Sequence, residues 1–333
     1  MSELRQNMAT RDWVVVASAR AKRPDDYASE KRELTGDRPE RDPDCPFCPG
    51  NEEPALEIGR VPETGPWQVR VVRNKYPALT PAGEPVRTAE GVHRCISGVG
   101  YHEVVIESPR HNTCLALETP EDVALFLSVF QGRARTLADD ARVEHVICFK
   151  NHGETAGTSL VHPHAQLVAL PVVPHEIRVR AEEARRHFDD NGSCVFCDML
   201  ADEVEDGSRV IVESEHFVAF VPFAAPSPFR TWVLPRRHES SFLRATNAEL
   251  ADLAGVLRRV LKKIYVGLSD PDYNYVIRSA SVQDQDQDYL HWYVSIIPRV
   301  ARTAGFELGS GMYINPALPE ANADFLRSVR EDP

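Results

Sequence analysis

The chain has 333 residues, enough to bury a sizeable core as one large domain or two smaller ones. With 42% hydrophobic and 26% charged residues it has an ordinary globular composition, and no apolar run reaches the roughly 20 residues of a membrane span, which excludes a helical membrane protein. A formal net charge of −12 excludes a nucleic-acid backbone as main partner, although a few local arginines would still hold a nucleotide. The opening residues, Met1-Ser2-Glu3-Leu4-Arg5, lack the apolar core of a signal peptide, so a cytoplasmic location is expected. Seven cysteines are an odd number, and four of them form two CxxC pairs. In a cytoplasmic chain that points to metal or redox use rather than to a disulfide framework.

In chain order, residues 24–44 are rich in proline and charge and read as a surface loop. Cys45-Pro46-Phe47-Cys48 follows, and residues 80–92 read as a second loop. The strand-like run from Glu103 to Ser108 leads into Pro109-Arg110-His111. Thr119-Pro120-Glu121-Asp122 predicts a helix start, with an N-cap, proline at N1 and an acid at N3. Val123, Phe126, Leu127, Phe130 and Leu137 then share one helical face. A β-rich run from Glu144 to Phe149, a Gly-, Ser- and Thr-rich loop and a strand from His162 to Leu170 close this half. Residues 175–189 read as a charged helix bridging to the next.

The second half repeats the order. It opens with Cys194-Val195-Phe196-Cys197, and the run Thr231–Leu234 leads into Pro235-Arg236-Arg237-His238. Thr246-Asn247-Ala248-Glu249 is a capping box, and Leu250, Leu253, Leu257, Val260 and Ile264 supply the helix face. A β run from Tyr273 to Ile277 precedes a strand from His291 to Ile297, and residues 319–329 read as a closing helix. The chain therefore reads as a diverged duplication of class α+β, with mainly antiparallel sheets and flanking helices. Its halves are assigned to residues 1–174 and 190–333.

His162-Pro163-His164-Ala165-Gln166 is the most telling stretch. Proline fixes the backbone between the histidines, and on an extended segment residues i and i+2 address the same side. The loop before it, Asn151 to Val161, offers free N–H groups and hydroxyls to an oxyanion. A neutral imidazole beside an anion cradle suits a nucleophile that attacks phosphorus. Each CxxC with two distant histidines makes a Cys₂His₂ set that suits tetrahedral zinc. The sets are Cys45, Cys48, His111 and His162, and Cys194, Cys197, His238 and His291. His93, His102, His152 and His216 compete for these ligand positions. If His162 aligns with His291, then His164 aligns with Tyr293, and only the first half holds a reactive histidine.

These motifs, together with Ala19-Arg20-Ala21-Lys22-Arg23-Pro24, Cys45 through Glu52, Phe149 through Gln166 and the tail from Phe306 to Leu326, resemble the galactose-1-phosphate uridylyltransferase family. That family is a branch of the histidine-triad superfamily, so the resemblance implies two diverged histidine-triad-like repeats. It also implies ping-pong nucleotidyl transfer through a covalent nucleotidyl-histidine. By the same resemblance His164 is the nucleophile, and Gln166 hydrogen-bonds the transferred phosphoryl group. Asn151, Gly157 and Ser159 form the phosphate-side loop, Asn74 lies on the nucleobase side, and Arg20 and Arg23 approach the phosphates. One or two zinc ions per chain and a homodimer are implied as well.

Three departures bear on substrate. Lys75 follows Asn74 where uridine-using members typically carry an acid. Ser310-Gly311 stand where galactose-using members have Tyr-Glu. The second metal set is CxxC-based. All three are similar to the branch that includes plant ADP-glucose phosphorylase. The expected partners are a nucleoside diphosphate-sugar and a sugar 1-phosphate or phosphate, with no nucleic acid and no membrane. Transfer between nucleoside diphosphate-hexose and hexose 1-phosphate leads. Adenylyl transfer to phosphate and nucleotide hydrolysis stand as alternatives.

Overall fold

The computed structural model describes residues 2–17, 27 and 33–331. Two short N-terminal strands, β1 (Glu3–Gln6) and β2 (Trp13–Val16), pair antiparallel. The first half then supplies β3 (Glu57–Val61), β4 (Val69–Arg73), an exposed hairpin of β5 (Arg87–Glu90) and β6 (His93–Ile96), β7 (Tyr101–Ile106), α1 (Pro120–Ala138), β8 (His145–His152) and β9 (His164–Leu170). Helix α2 (His175–Asn191) crosses to the second half. That half contains α3 (Val195–Asp206), β10 (Val210–Glu213), β11 (Phe217–Phe220), β12 (Thr231–Pro235), α4 (Asn247–Gly267), β13 (Tyr273–Arg278) and β14 (Tyr293–Pro298). The tail forms α5 (Gly305–Ser310), β15 (Tyr313–Asn315) and α6 (Pro319–Ser328).

Ten strands make one sheet in the order β10-β11-β12-β14-β13-β8-β9-β7-β4-β3. Read outward from the β13–β8 seam, both wings have the same strand order, so the duplication is visible as topology. All pairings in this sheet are antiparallel; the one parallel pairing between named strands joins β15 to β2 at the arm. The fold is α+β.

Strand alternation sorts the two faces. On β9, Ala165, Leu167 and Ala169 are fully buried toward α1 and α4, together with Val105, Val146, Val233 and Val294. His164 and Gln166 therefore point to the opposite face. Every apolar residue expected on the two helix faces is buried. Thr119 caps α1 by accepting from the Asp122 N–H, and Thr246 and Glu249 form the capping box of α4.

One expected loop differs, and the two CxxC pairs take different conformations. Residues 80–92 are not wholly loop, because Arg87–Glu90 pairs with His93–Ile96. The second CxxC opens a helix, with Cys194 as N-cap and Val195, Phe196 and Leu200 buried beneath it. The first CxxC cannot do the same. Pro49 and Gly50 follow it, and Gly50 adopts φ +91°, outside helical space.

Leu253 is fully buried between α4 and the sheet, and Leu253→Ala should cost about 2–5 kcal/mol in denaturant unfolding. Hydrogen bonds from Arg237 hold the buried Glu249 carboxyl down to about 2. A depressed carboxyl contributes stability above its unfolded value and loses it as pH falls toward the folded one. Glu249→Gln should lower the melting temperature at pH 7, and the difference from wild type should vanish near pH 2.

Candidate active site

The start of β9 gathers most of the predicted residues. A cavity of about 660 Å³ opens on the face away from α1 and α4. Its walls include Asn74, Asn151, Gly157, Ser159, His164 and Gln166, together with the apolar Phe47, Leu56, Val72, Val104 and Phe149. Arg20 and Arg23 lie outside the described residues.

His164 is 8% exposed. Its Nδ1 lies 2.8 Å from the His162 carbonyl oxygen. A carbonyl only accepts, so Nδ1 carries the proton and Nε2 keeps a free lone pair. Burial pushes the His164 imidazole down to about 4, and the Lys150 ammonium pushes the same way, so the ring is neutral near pH 7. Lys150 is itself buried against Glu107, Nζ to Oε2 2.7 Å, and reaches the His164 carbonyl at 3.3 Å. The Phe47 and His164 rings pack edge to face with centroids 5.3 Å apart.

Gln166 is oriented by a residue that motif reading places elsewhere. The Ala78 N–H donates to His102 Nδ1 at 3.2 Å, so a neutral ring carries its proton on Nε2. That N–H donates to Gln166 Oε1 at 2.8 Å. The Gln166 amide is thereby fixed, with its NH₂ left to donate to a ligand. Asn74 Nδ2 lies 3.0 Å from the same His102 nitrogen, but with the proton on Nε2 this places donor against donor and makes no hydrogen bond.

The loop from Gly153 to Ser159 is held from the second half of the chain. Thr155 donates from both N and Oγ1 to Asp272 Oδ2, at 2.7 and 2.6 Å. Asn274 on β13 donates to Asn151 Oδ1 and to the Ala156 carbonyl, each at 2.8 Å. Asn151 Nδ2 reaches the Gly157 carbonyl at 3.5 Å, which leaves one of its two N–H groups for a ligand. Gly157 takes φ +93°, a left-handed turn that a side chain would strain.

Both Cys₂His₂ sets come together. In each, one ligand atom per residue lies within 4.8 Å of the others, so either could hold a metal ion. Cys48 Sγ is 3.5 Å from Nδ1 of both His111 and His162, and the His162 Nε2–H donates to the Ser108 carbonyl at 2.8 Å. The second set repeats this. Cys197 Sγ is 3.3 Å from His238 Nδ1 and 3.5 Å from His291 Nδ1, while the His291 Nε2–H donates to the Pro235 carbonyl at 3.0 Å. In both sets a backbone carbonyl fixes the tautomer that aims a bare nitrogen at the sulfurs. The first set is buried throughout; in the second, His238 is exposed.

The competing histidines go elsewhere. His102 bonds Gln166, His152 Nε2 lies 2.8 Å from Asp270, His93 sits on the exposed hairpin, and His216 precedes β11. His102, Asn274, Asp272 and Lys150 are the site residues that motif reading misses.

Comparison with known proteins gives the family. Residues 1–174 match the family described as galactose-1-phosphate uridyl transferase, N-terminal domain, and residues 180–330 match the corresponding C-terminal domain. The chain is 39% identical to the ADP-glucose phosphorylase of Arabidopsis thaliana, over 98% of this chain and 93% of that one. It is 31% identical to the galactose-1-phosphate uridylyltransferase of Thermotoga maritima, over 99% of both. The structure of the A. thaliana ADP-glucose phosphorylase with bound ADP-glucose superposes with a TM-score of 0.83 at 35% identity, covering 99% of both chains. A uridylyltransferase structure superposes with a TM-score of 0.75 at 26% identity, covering 98% of both. Fold and site thus define a nucleotidyltransferase. The chain belongs to the galactose-1-phosphate uridylyltransferase family.

Asn274→Ala removes the two bonds that hold Asn151 and the loop. At about 1 kcal/mol for each bond, nucleotidyl turnover should fall roughly thirtyfold. The unfolding midpoint should change little, and an unchanged turnover would refute the coupling.

Proposed function

We propose that the enzyme moves a nucleoside monophosphate from a nucleoside diphosphate-hexose to a phosphate-bearing acceptor, with His164 Nε2 forming and breaking the bond to phosphorus. The carrying observation is the free Nε2 of His164 in the cavity that Gln166, Asn151, Gly157, Ser159 and Asn74 also line. Nε2 attacks the α-phosphorus, the bond to the bridging oxygen breaks, and hexose 1-phosphate leaves as an anion. An oxygen of hexose 1-phosphate or of inorganic phosphate then attacks the nucleotidyl-histidine and restores the imidazole. The amide of Gln166 and the loop N–H groups stabilise charge on the equatorial oxygens. Arg20 and Arg23 are assigned to the substrate phosphates on the family resemblance.

A second reading is adenylyl transfer from an ADP-hexose to phosphate. It is favoured by the 39% identity to an ADP-glucose phosphorylase. Lys75, paired with Glu53 at 2.7 Å on the cavity wall, also favours it, since uridine-using members carry an acid there.

Zinc is proposed for both Cys₂His₂ sets. Tetrahedral bonds of about 2.3 Å to sulfur and 2.05 Å to nitrogen give an N···S edge of about 3.5 Å, which both sets match. With four protein ligands the ions would be structural and would hold the start of β9 and of β14. A homodimer is proposed on the resemblance, with the exposed Phe306 and Leu308 of α5 as surface to cover. A cytoplasmic location fits seven free thiols.

Labelled ADP-glucose or UDP-glucose should leave an acid-labile, base-stable adduct on the wild-type chain and none on His164→Gly of unchanged circular dichroism. No adduct from either donor would sink the proposal. Crossing both donors with galactose 1-phosphate, glucose 1-phosphate and phosphate separates the two readings, and release of free nucleoside monophosphate would mark a hydrolase. Elemental analysis should find one to two zinc ions per chain. A metal-free, folded and active chain would refute the metal assignment.

A further inference from the structure

The two halves can be matched strand by strand from their registers. In the first, Phe149 pairs with Gln166, and Val104 with Gln166 from the other side. In the second, Val276 pairs with Ser295, Arg278 with Tyr293, and Thr231 with Ile296. Taking His162 and His291 as common origin, Tyr293 stands in the place of His164. Arg278 takes the place of Asn151, and Arg230 that of His102. The polar groups around the first cavity thus have counterparts of different chemistry.

That second position is also a cavity, about 390 Å³, between α2 and the sheet. Arg180, Arg278, Tyr289 and Tyr293 line it, and Arg180 Nη1 donates to the Tyr293 hydroxyl at 3.0 Å. Arg230 stands close by. Burial, and then the charges of Arg278 and Arg180, push its guanidinium down to about 10. Arg278 is lowered by burial and by Arg180. Buried Nε atoms of Arg180 and Arg230 have no hydrogen-bond partner among the described residues, where none of the three arginines forms an ion pair. Of the acids nearby, Glu144 accepts from Gln283 and Asp284 from Ser281, Glu182 on the rim is exposed to solvent, and Glu176 acts on Arg278 against the other arginines. Like charges gathered in a concave site cost free energy that a bound anion offsets, and guanidinium forks match phosphate geometry.

We propose that this cavity is a second, non-covalent ligand site for a phosphomonoester, whose phosphate is held by Arg180, Arg230 and Arg278. Tyr293 has no ring nitrogen to attack phosphorus, so binding leaves no adduct. The wall formed by Phe196, Tyr289 and Tyr293 is apolar enough to seat an attached sugar or base. Free phosphate, a hexose phosphate and a nucleoside monophosphate share the recognised group. The inference does not depend on the role given to His164.

Calorimetric titration of the full chain with inorganic phosphate, glucose 1-phosphate and AMP tests it. At least one probe should bind at two sites per chain. Arg180→Gln/Arg278→Gln should lose one of them while still forming the adduct at His164, and the tightest probe at the lost site identifies the group carried. If the double variant fails to fold, Arg180→Gln alone should weaken the second site at least tenfold. One-site isotherms with all three probes would overturn the proposal, as would a second site that Arg180→Gln leaves unchanged.

Discussion

The pairing of β8 with β13 is the constraint on which the rest depends. Five residue pairs, from Tyr273 with His152 to Ile277 with Cys148, fuse two five-stranded wings into one sheet. Because the ladder runs to the end of β8, it sets the position of the loop that begins there. It brings Asn274 onto Asn151 and places Asp272 under Thr155. A loop rich in glycine and threonine would otherwise carry the ordering entropy of its free backbone into every ligand-binding event. Here the second half covers much of that cost in advance. The half without a counterpart of His164 therefore takes part in positioning the loop beside that residue.

The Cys₂His₂ sets act where β9 and β14 begin, the first of them at the same end of the sheet as this loop. His162 and His291 stand immediately before β9 and β14, each held by a backbone carbonyl on one nitrogen and facing sulfur with the other. In the first half this anchor lies two residues from His164, whose Nδ1 is held by the His162 carbonyl itself. One residue thus serves the cluster through its side chain and the His164 ring through its backbone. Pro163 keeps those roles in register, because its fixed φ removes one degree of freedom between them.

What is legible in the sequence is what is carried by local pattern. The CxxC pairs, the capped helices and the His-Pro-His stretch are readable because spacing alone sets their geometry. Pairing each CxxC with its histidines is readable because the chain repeats itself. His102 is not legible in this way. Its proton is placed by Ala78, and its partner Gln166 sits on the neighbouring strand, so only the β7–β9 register reveals the connection. The Glu107–Lys150 pair is hidden for the same reason: two charged residues on separate elements give no sign that they are buried against each other. Helix α3 escapes because CxxC is equally compatible with a turn and with a helix start, and the choice falls to Pro49-Gly50 against Asp198-Met199.

Duplication explains why the two halves could diverge so far on one face while remaining alike on the other. Residues that face α1 and α4, such as Leu167 and Ile296, are locked by packing, and any change of volume there is felt by the whole core. The alternate residues on the same strands face the other side and are free of that restraint. Alternation lets His164 become Tyr293 and Gln166 become Ser295 without disturbing the helices behind them. The second wing covers part of its outer face with α2 and α3, packing Phe196 and Trp232 around Tyr293, at 5.4 and 4.4 Å between ring centroids, and leaves the arginine-lined cavity between α2 and the sheet. The first wing kept its outer face open as a cavity. The difference between the pocket at His164 and the arginine-lined one therefore lies in the outward-facing residues of a shared scaffold, which is where two copies of one sheet can acquire different chemistry at least cost to stability.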